Sequence, residues 1–174
     1  ASSISKVKSG FILMKFKVFY DQSGGGVTLS GGEPLFQPDF SEDVLRRCQE
    51  AGIDTTIESC LYARYETVYK VVSRCGELLC DVKHMNSEKH KAKTGVPNEL
   101  ILQNLTRLNQ EFPGDIYVRV ALIPGFNDDE ENIRKTVEFL DPLQKVKGLD
   151  LLPFNAMPIG KYDALNKKWL CEEE

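Results

Sequence analysis

The chain has 174 residues, 41% of them apolar, with 22 basic against 26 acidic residues and a formal charge of −4. That length suffices for one domain with a sizeable core, and the acidic balance argues against non-specific nucleic-acid binding. No apolar run approaches the roughly 20 residues of a membrane span, and "FILM" at Phe11–Met14 is too short for a signal-peptide core, so a cytoplasmic protein without a membrane or nucleic-acid partner is expected.

In chain order, residues 1–20 give no confident element. "GVTLS" (Gly26–Ser30) reads as a buried strand, being short, β-branched and bounded by glycines. "FSEDVLRRCQEAG" reads as a helix with Phe40, Val44, Leu45 and Cys48 on one face and Gly52 at its C-terminal cap. Asp54–Ser59 is the next strand, and "RYETVYKVVSRC" a helix with Tyr65, Val68, Tyr69 and Val72 on its stripe. Glu77–Lys83 is a third strand. A helix over "NELILQNLTRLNQEF" follows, capped by Asn98, with Ile101, Leu105, Leu108 and Phe112 on its face. Asp115–Gly125 is a strand with a Pro-Gly stop. "NDDEENIRKTVEFL" is a helix whose acids crowd the first turn, where the helix dipole favours them. Gly148–Asn155 is the last strand, and residues 156–174 give no confident element.

This β-α alternation implies right-handed crossovers and a parallel sheet with outer helices. In such folds functional groups gather at the C-terminal ends of the strands. Here those positions hold Gly31-Gly32-Glu33-Pro34, Glu58-Ser59, Asp81 and Lys83, Arg119, and Asn155. Adjacent glycines at a strand end leave main-chain donors and acceptors bare for a ligand. Glu33 adds an acceptor for a cationic group and Pro34 stiffens the exit. The pattern suits a small zwitterion and not a phosphate, because no G-x-x-x-x-G-K follows and Glu33 repels phosphate. A glycine-rich turn with no ligand is the competing reading.

The segments "FYDQSGGGVTLSGGEPLFQPDF", "DVKHMNSEKHKAKTGVPNELILQNL", "VRVALIPGFNDDEENI" and "LLPFNAMPIGKYDAL", in that order, resemble the radical SAM superfamily and within it the glycyl-radical-enzyme activating enzymes. The resemblance implies an α/β fold: an incomplete (βα)6 partial TIM barrel, with five parallel strands and outer helices, over 21–174, residues 1–20 remaining poorly assigned. It implies an oxidoreductase in which a [4Fe-4S] cluster reduces S-adenosylmethionine (SAM), and the resulting 5′-deoxyadenosyl radical takes hydrogen from a glycine of a partner enzyme. The implied partners are a glycyl radical enzyme such as pyruvate formate-lyase and an electron donor such as flavodoxin or ferredoxin.

By the same resemblance, Gly31, Gly32, Glu33 and Pro34 contact the methionine amino group. The D-x-K motif falls on Asp81, Val82 and Lys83. Strand alternation sends Asp81 and Lys83 to one face and Val82 to the other, so the acid can accept from ribose hydroxyls and the lysine can pair with the SAM carboxylate. A solvated ion pair is the alternative. Glu58 and Ser59 match an acid-hydroxyl pair near that carboxylate, where a monovalent cation can sit. Arg119 needs a partner: SAM, a target loop, or an internal carboxylate.

The departures are equally specific. The C-x-x-x-C-x-x-C motif that binds the cluster is absent, so the cluster's ligands are not expected in this chain, and the chain reads as a fragment that begins too late to contain them. Cys48, Cys60, Cys75, Cys80 and Cys171 have neither that spacing nor a disulfide pattern and are expected to be reduced thiols. Asn155 stands where the resemblance calls for histidine beside the adenosine, and Leu61 where glycine is more usual. His84 and His90 are expected in a surface loop, not as a metal pair. A radical SAM enzyme of another subfamily acting on a small molecule, and a non-catalytic barrel fragment, remain alternatives.

Overall fold

A computed structural model describes residues 15–154 and 166. The elements are α1 (Lys17–Ser23), β1 (Gly26–Leu29), a 3-10 turn (Pro34–Phe36), α2 (Pro38–Glu50), β2 (Asp54–Ser59), α3 (Tyr65–Val72), β3 (Glu77–Asp81), α4 (Ser87–Thr94), α5 (Glu99–Glu111), β4 (Asp115–Ala121), α6 (Glu130–Leu140) and β5 (Val146–Leu152). All five strands are parallel, in the order β1-β2-β3-β4-β5. A strictly sequential order has no point at which the winding reverses, so the sheet coils as a barrel segment and not as a doubly wound sheet. The expected α/β partial barrel of five strands is the fold observed.

Burial alternates along the strands. Ile57, Leu78, Cys80, Ile116 and Val118 are fully buried under the helices, packed with Leu45, Val68, Val72, Leu105 and Leu108. Their neighbours Thr56, Glu58, Leu79, Asp81, Tyr117 and Arg119 face the other way and are only half-buried. The sheet therefore has one greasy, helix-covered face and one open face that carries charge. Burying every second strand residue is what period-2 patterning predicts for a sheet covered on a single side.

Several expectations are corrected. β1 is not a buried strand: its residues alternate between exposed and half-buried, because no strand of the described residues pairs with its outer edge. Helix α3 buries Tyr65, Val68, Val71 and Val72, while Tyr69 stays exposed. Asn98 precedes α5 but does not cap it, since its side-chain amide donates instead to the carbonyls of His84 and Met85. Hydrophobic periodicity marks neither α1 nor α4. α1 carries no buried residue and is held beside the sheet by Tyr20, which packs on Val44, Cys48 and Ile53, so tertiary contact and not periodicity defines it. α4 ("SEKHKAKT") is polar apart from Ala92, and its one buried residue is His90. No helix among the described residues is long and apolar enough to cross a membrane.

Candidate functional site

The polar residues at the strand ends converge on the open face. Arg119 on β4 lies in register with Asp81 on β3. Its Nε and Nη2 donate to Asp81 Oδ1 at 3.1 and 3.0 Å, and its Nη1 donates to Glu58 Oε1 at 3.1 Å. Lys83 Nζ donates to Asp81 Oδ2 at 3.2 Å. Two acids and two bases from β2, β3, β4 and the second residue past β3's end thus form one cluster. Burial works against the Arg119 charge, but hydrogen bonds and attraction from Glu58 and Asp81 outweigh it and hold its pKa above the ordinary value. The internal-carboxylate alternative for Arg119 is the one observed.

The diglycine follows the end of β1, whose Leu29 lies in register with Ile57 on β2, the residue before Glu58. Gly31 has φ +108°, a conformation that side chains disfavour, and nothing lies within 4 Å of where a Cβ would stand on Gly31 or Gly32. Among the described residues, the main chain of neither glycine forms a hydrogen bond in the turns and loops. Their donors and acceptors are open to an incoming molecule. A cavity of about 140 Å³ lined by Ser30, Gly32, Glu33, Pro34 and Ser41, among others, adjoins the turn.

Glu33 does not stand free to meet a cation. Its Oε1 accepts from the Leu35 N–H at 3.1 Å and from the Ser59 hydroxyl at 2.8 Å, and its Oε2 accepts from the Cys60 N–H at 2.9 Å. The side chain ties the glycine turn to the end of β2. Pro34, buried, opens the 3-10 turn and accepts from the Ser41 hydroxyl through its carbonyl. Ser59 is buried at 4% exposure on the helix side, facing away from Glu58, so this pair does not act on one ligand from one face. Val82 is buried at 3% exposure, on the face opposite Asp81 and Lys83. Asn155 lies outside the described residues.

Three buried asparagines, Asn98 expected only as a helix cap and Asn127 and Asn132 given no role in the sequence, hold the segment that carries Lys83. Asn127 Nδ2 donates to the carbonyls of Lys83 and Ala121 at 2.8 and 2.9 Å, and its Oδ1 accepts from the Ile123 N–H at 2.7 Å. Asn132 accepts from the Met85 N–H, and Asn98 donates to His84 and Met85. The signal available in the sequence is an asparagine just beyond a strand's Pro-Gly stop, where its amide can replace missing ladder partners. His84 and His90, expected in a surface loop, are 3% and 2% exposed. His84 Nδ1 accepts from the Asn86 N–H, and burial holds its pKa below the ordinary value. The acids Asp128–Glu131 serve the loop and helix: Asp128 accepts from the Gly125 N–H and Asp129 caps α6.

The described cysteines do not fit a cluster's ligand set. Cys48, Cys75 and Cys80 are buried on the helix side, and burial pushes the Cys75 thiol up to about 12 and the Cys80 thiol higher still. Burial and then the Glu33 hydrogen bond push Cys60 up to about 11. Thiols held neutral are poor iron ligands, and no cluster of potential metal ligands occurs among the described residues.

The profile of the Radical SAM superfamily matches residues 10–139. The choline trimethylamine-lyase activating enzyme of Oleidesulfovibrio alaskensis is 44% identical over 92% of this chain and 53% of its own length. The trans-4-hydroxy-L-proline dehydratase activating enzyme of Clostridioides difficile is 42% identical over 91% of this chain and 53% of its own. A crystal structure of a domain of pyruvate-formate lyase-activating enzyme from Bacteroides vulgatus superposes with a TM-score of 0.69 at 44% identity, covering 76% of this chain and 82% of that one. The chain spans about half the length of the curated relatives it matches.

Proposed function

The chain belongs to the radical SAM superfamily, and on that premise we propose that it is part of an activating enzyme that reductively cleaves SAM to place a glycyl radical on a partner enzyme. Relatives at 44% and 42% identity bear activating-enzyme names, which supports this reading over a small-molecule enzyme of another subfamily. The partner is a glycyl radical enzyme such as pyruvate formate-lyase, the electron donor is of the flavodoxin or ferredoxin kind, and the setting is the cytoplasm. The [4Fe-4S] cluster of this chemistry takes no ligand from the described cysteines.

The observation that carries the reading is the Glu58–Arg119–Asp81–Lys83 cluster together with a bare diglycine at the ends of the strands. When bound there, SAM supplies the hydrogen-abstracting radical. The chain's own residues hold and orient it. The free carbonyls of Gly31 and Gly32 accept from the methionine ammonium, and their N–H groups face its carboxylate. Lys83, with its side chain 39% exposed, neutralises that carboxylate. A carboxylate offers about four lone-pair directions. Asp81 uses three on Arg119 and Lys83, which leaves one for a ribose hydroxyl. Glu58 uses one and keeps the others for the ligand. Glu33, Pro34 and Ser59 shape the turn from behind, and Val82 anchors β3 to the core.

Titration of the isotopically labelled chain with SAM, followed by NMR, tests this. Shifts centred on Gly31, Gly32 and Lys83, weakened about tenfold by Lys83→Ala as a loss of roughly 1.4 kcal/mol, support it. Shifts confined to His84–Gly95 or to Asp128–Glu131 reject the site. No shift at millimolar SAM favours the non-catalytic fragment.

A further inference from the structure

The charge cluster described above balances: two carboxylates face two cations. SAM does not balance, since at neutral pH it carries a sulfonium and an ammonium against a single carboxylate. A site that prefers SAM to its neutral thioether analogue S-adenosylhomocysteine gains from a further negative group on the open face.

Asp150 is that group by position. It is the register partner of Arg119 on β5, and its exposed side chain makes no ion pair or hydrogen bond among the described residues. Its facing depends on an irregularity in the sheet. Ile116 pairs with Val146, but Tyr117 pairs with Gly148, so Lys147 is an extra residue in β5. A bulge of this kind re-aims every side chain beyond it. Without it, Asp150 would lie opposite Val120 and point to the helix side. With it, a Cβ on Gly148 would stand 3.3 Å from the Tyr117 ring, which places that position on the open face. Asp150, two residues further along, faces the same way. Arg119 meanwhile is turned from β5 toward Asp81 and Glu58, which leaves the Asp150 carboxylate uncompensated. Glu77 also carries an acid on this face, but at the opposite end of β3, bonded by the Thr56 hydroxyl.

We propose that Asp150 is a specificity-determining residue, the counter-charge that makes the site prefer the sulfonium of SAM to the thioether of S-adenosylhomocysteine. This rests on the reading of the site as a SAM site.

The test compares dissociation constants for both nucleosides by NMR titration of the unsubstituted chain, Asp150→Asn and Asp150→Glu. Asp150→Asn is expected to weaken SAM about tenfold, equivalent to about 1.4 kcal/mol, to leave S-adenosylhomocysteine nearly unchanged, and to keep the melting temperature, because the side chain is exposed. Asp150→Glu is expected to retain the preference. Equal weakening of both nucleosides, or an unchanged ratio, overturns the inference while leaving the site reading intact. Failure of the unsubstituted chain to bind either nucleoside overturns both.

Discussion

Arg119 gives two hydrogen bonds to a single oxygen of Asp81, at 3.1 and 3.0 Å, and a third to Glu58. The guanidinium thereby ties β4 to β3 and reaches across to β2, leaving Asp81 Oδ2 for Lys83. The Arg119 side chain is 17% exposed and its two acids about twice that. Removing it strands two partly desolvated carboxylates side by side.

Arg119→Met is expected to lower stability by about 1–2 kcal/mol, less than the roughly 3–5 kcal/mol of a fully buried pair because water reaches both acids. The check is the urea midpoint at constant m. SAM affinity should fall in the same variant, since Asp81 and Glu58 lose the group that fixes their direction.

Leu61→Gly tests the departure at that position. Leu61 has φ +59° and is fully buried, and Asn104 Nδ2 holds its carbonyl at 2.8 Å. Glycine relieves about 1–2 kcal/mol of left-handed strain, while loss of a buried leucine costs about 2–5 kcal/mol. The substitution should be net destabilising by about 1–3 kcal/mol. A stabilised variant would show that the backbone term wins.

Glu33→Gln should loosen the glycine turn. The carboxylate accepts three hydrogen bonds on two oxygens, and an amide retains only one accepting oxygen. At least one donor is left facing an N–H, at a cost of about 1–3 kcal/mol. Hydrogen exchange at Cys60, whose N–H donates to Oε2 at 2.9 Å, should accelerate ahead of the rest of the sheet.

Stability should decline as the solution is made alkaline. Cys75 has its pKa raised from 9.0 to about 12, chiefly by burial. The unfolded thiol therefore ionises first, the folded state holds more protons, and stability falls as pH climbs from about 9 towards 12. Urea midpoints at pH 8 and pH 10 measure it. Cys75→Ala should flatten part of the slope, and an unchanged slope would exclude this thiol as a contributor.

Asn127→Asp should be worse than Asn127→Ala. The amide donates to two carbonyls; the acid sets a carboxylate against both, adding repulsion to a lost bond. A destabilisation of about 2–4 kcal/mol is expected for the acid, in the range for unsatisfied buried groups, and thermal denaturation ranks the two variants.

Local chemistry determined much of this protein in advance. Period-2 runs placed β2 over Asp54–Ser59 to the residue and β4 from Asp115, because a strand covered on one side must alternate. The D-x-K spacing put Asp81 and Lys83 on one face for the same reason, and two glycines after a short strand marked an open turn. Tertiary structure decided what the strand ends do. Glu33 reaches Ser59 and Cys60 across 26 and 27 residues, and Arg119 reaches Glu58 across 61. Whether a carboxylate meets a ligand or the chain itself depends on which strands become neighbours. The exposure of β1 and the facing of Asp150 share this origin. Each is set by pairing and register between strands distant in sequence, and a single extra residue at Lys147 reverses a face without leaving a mark in composition or period.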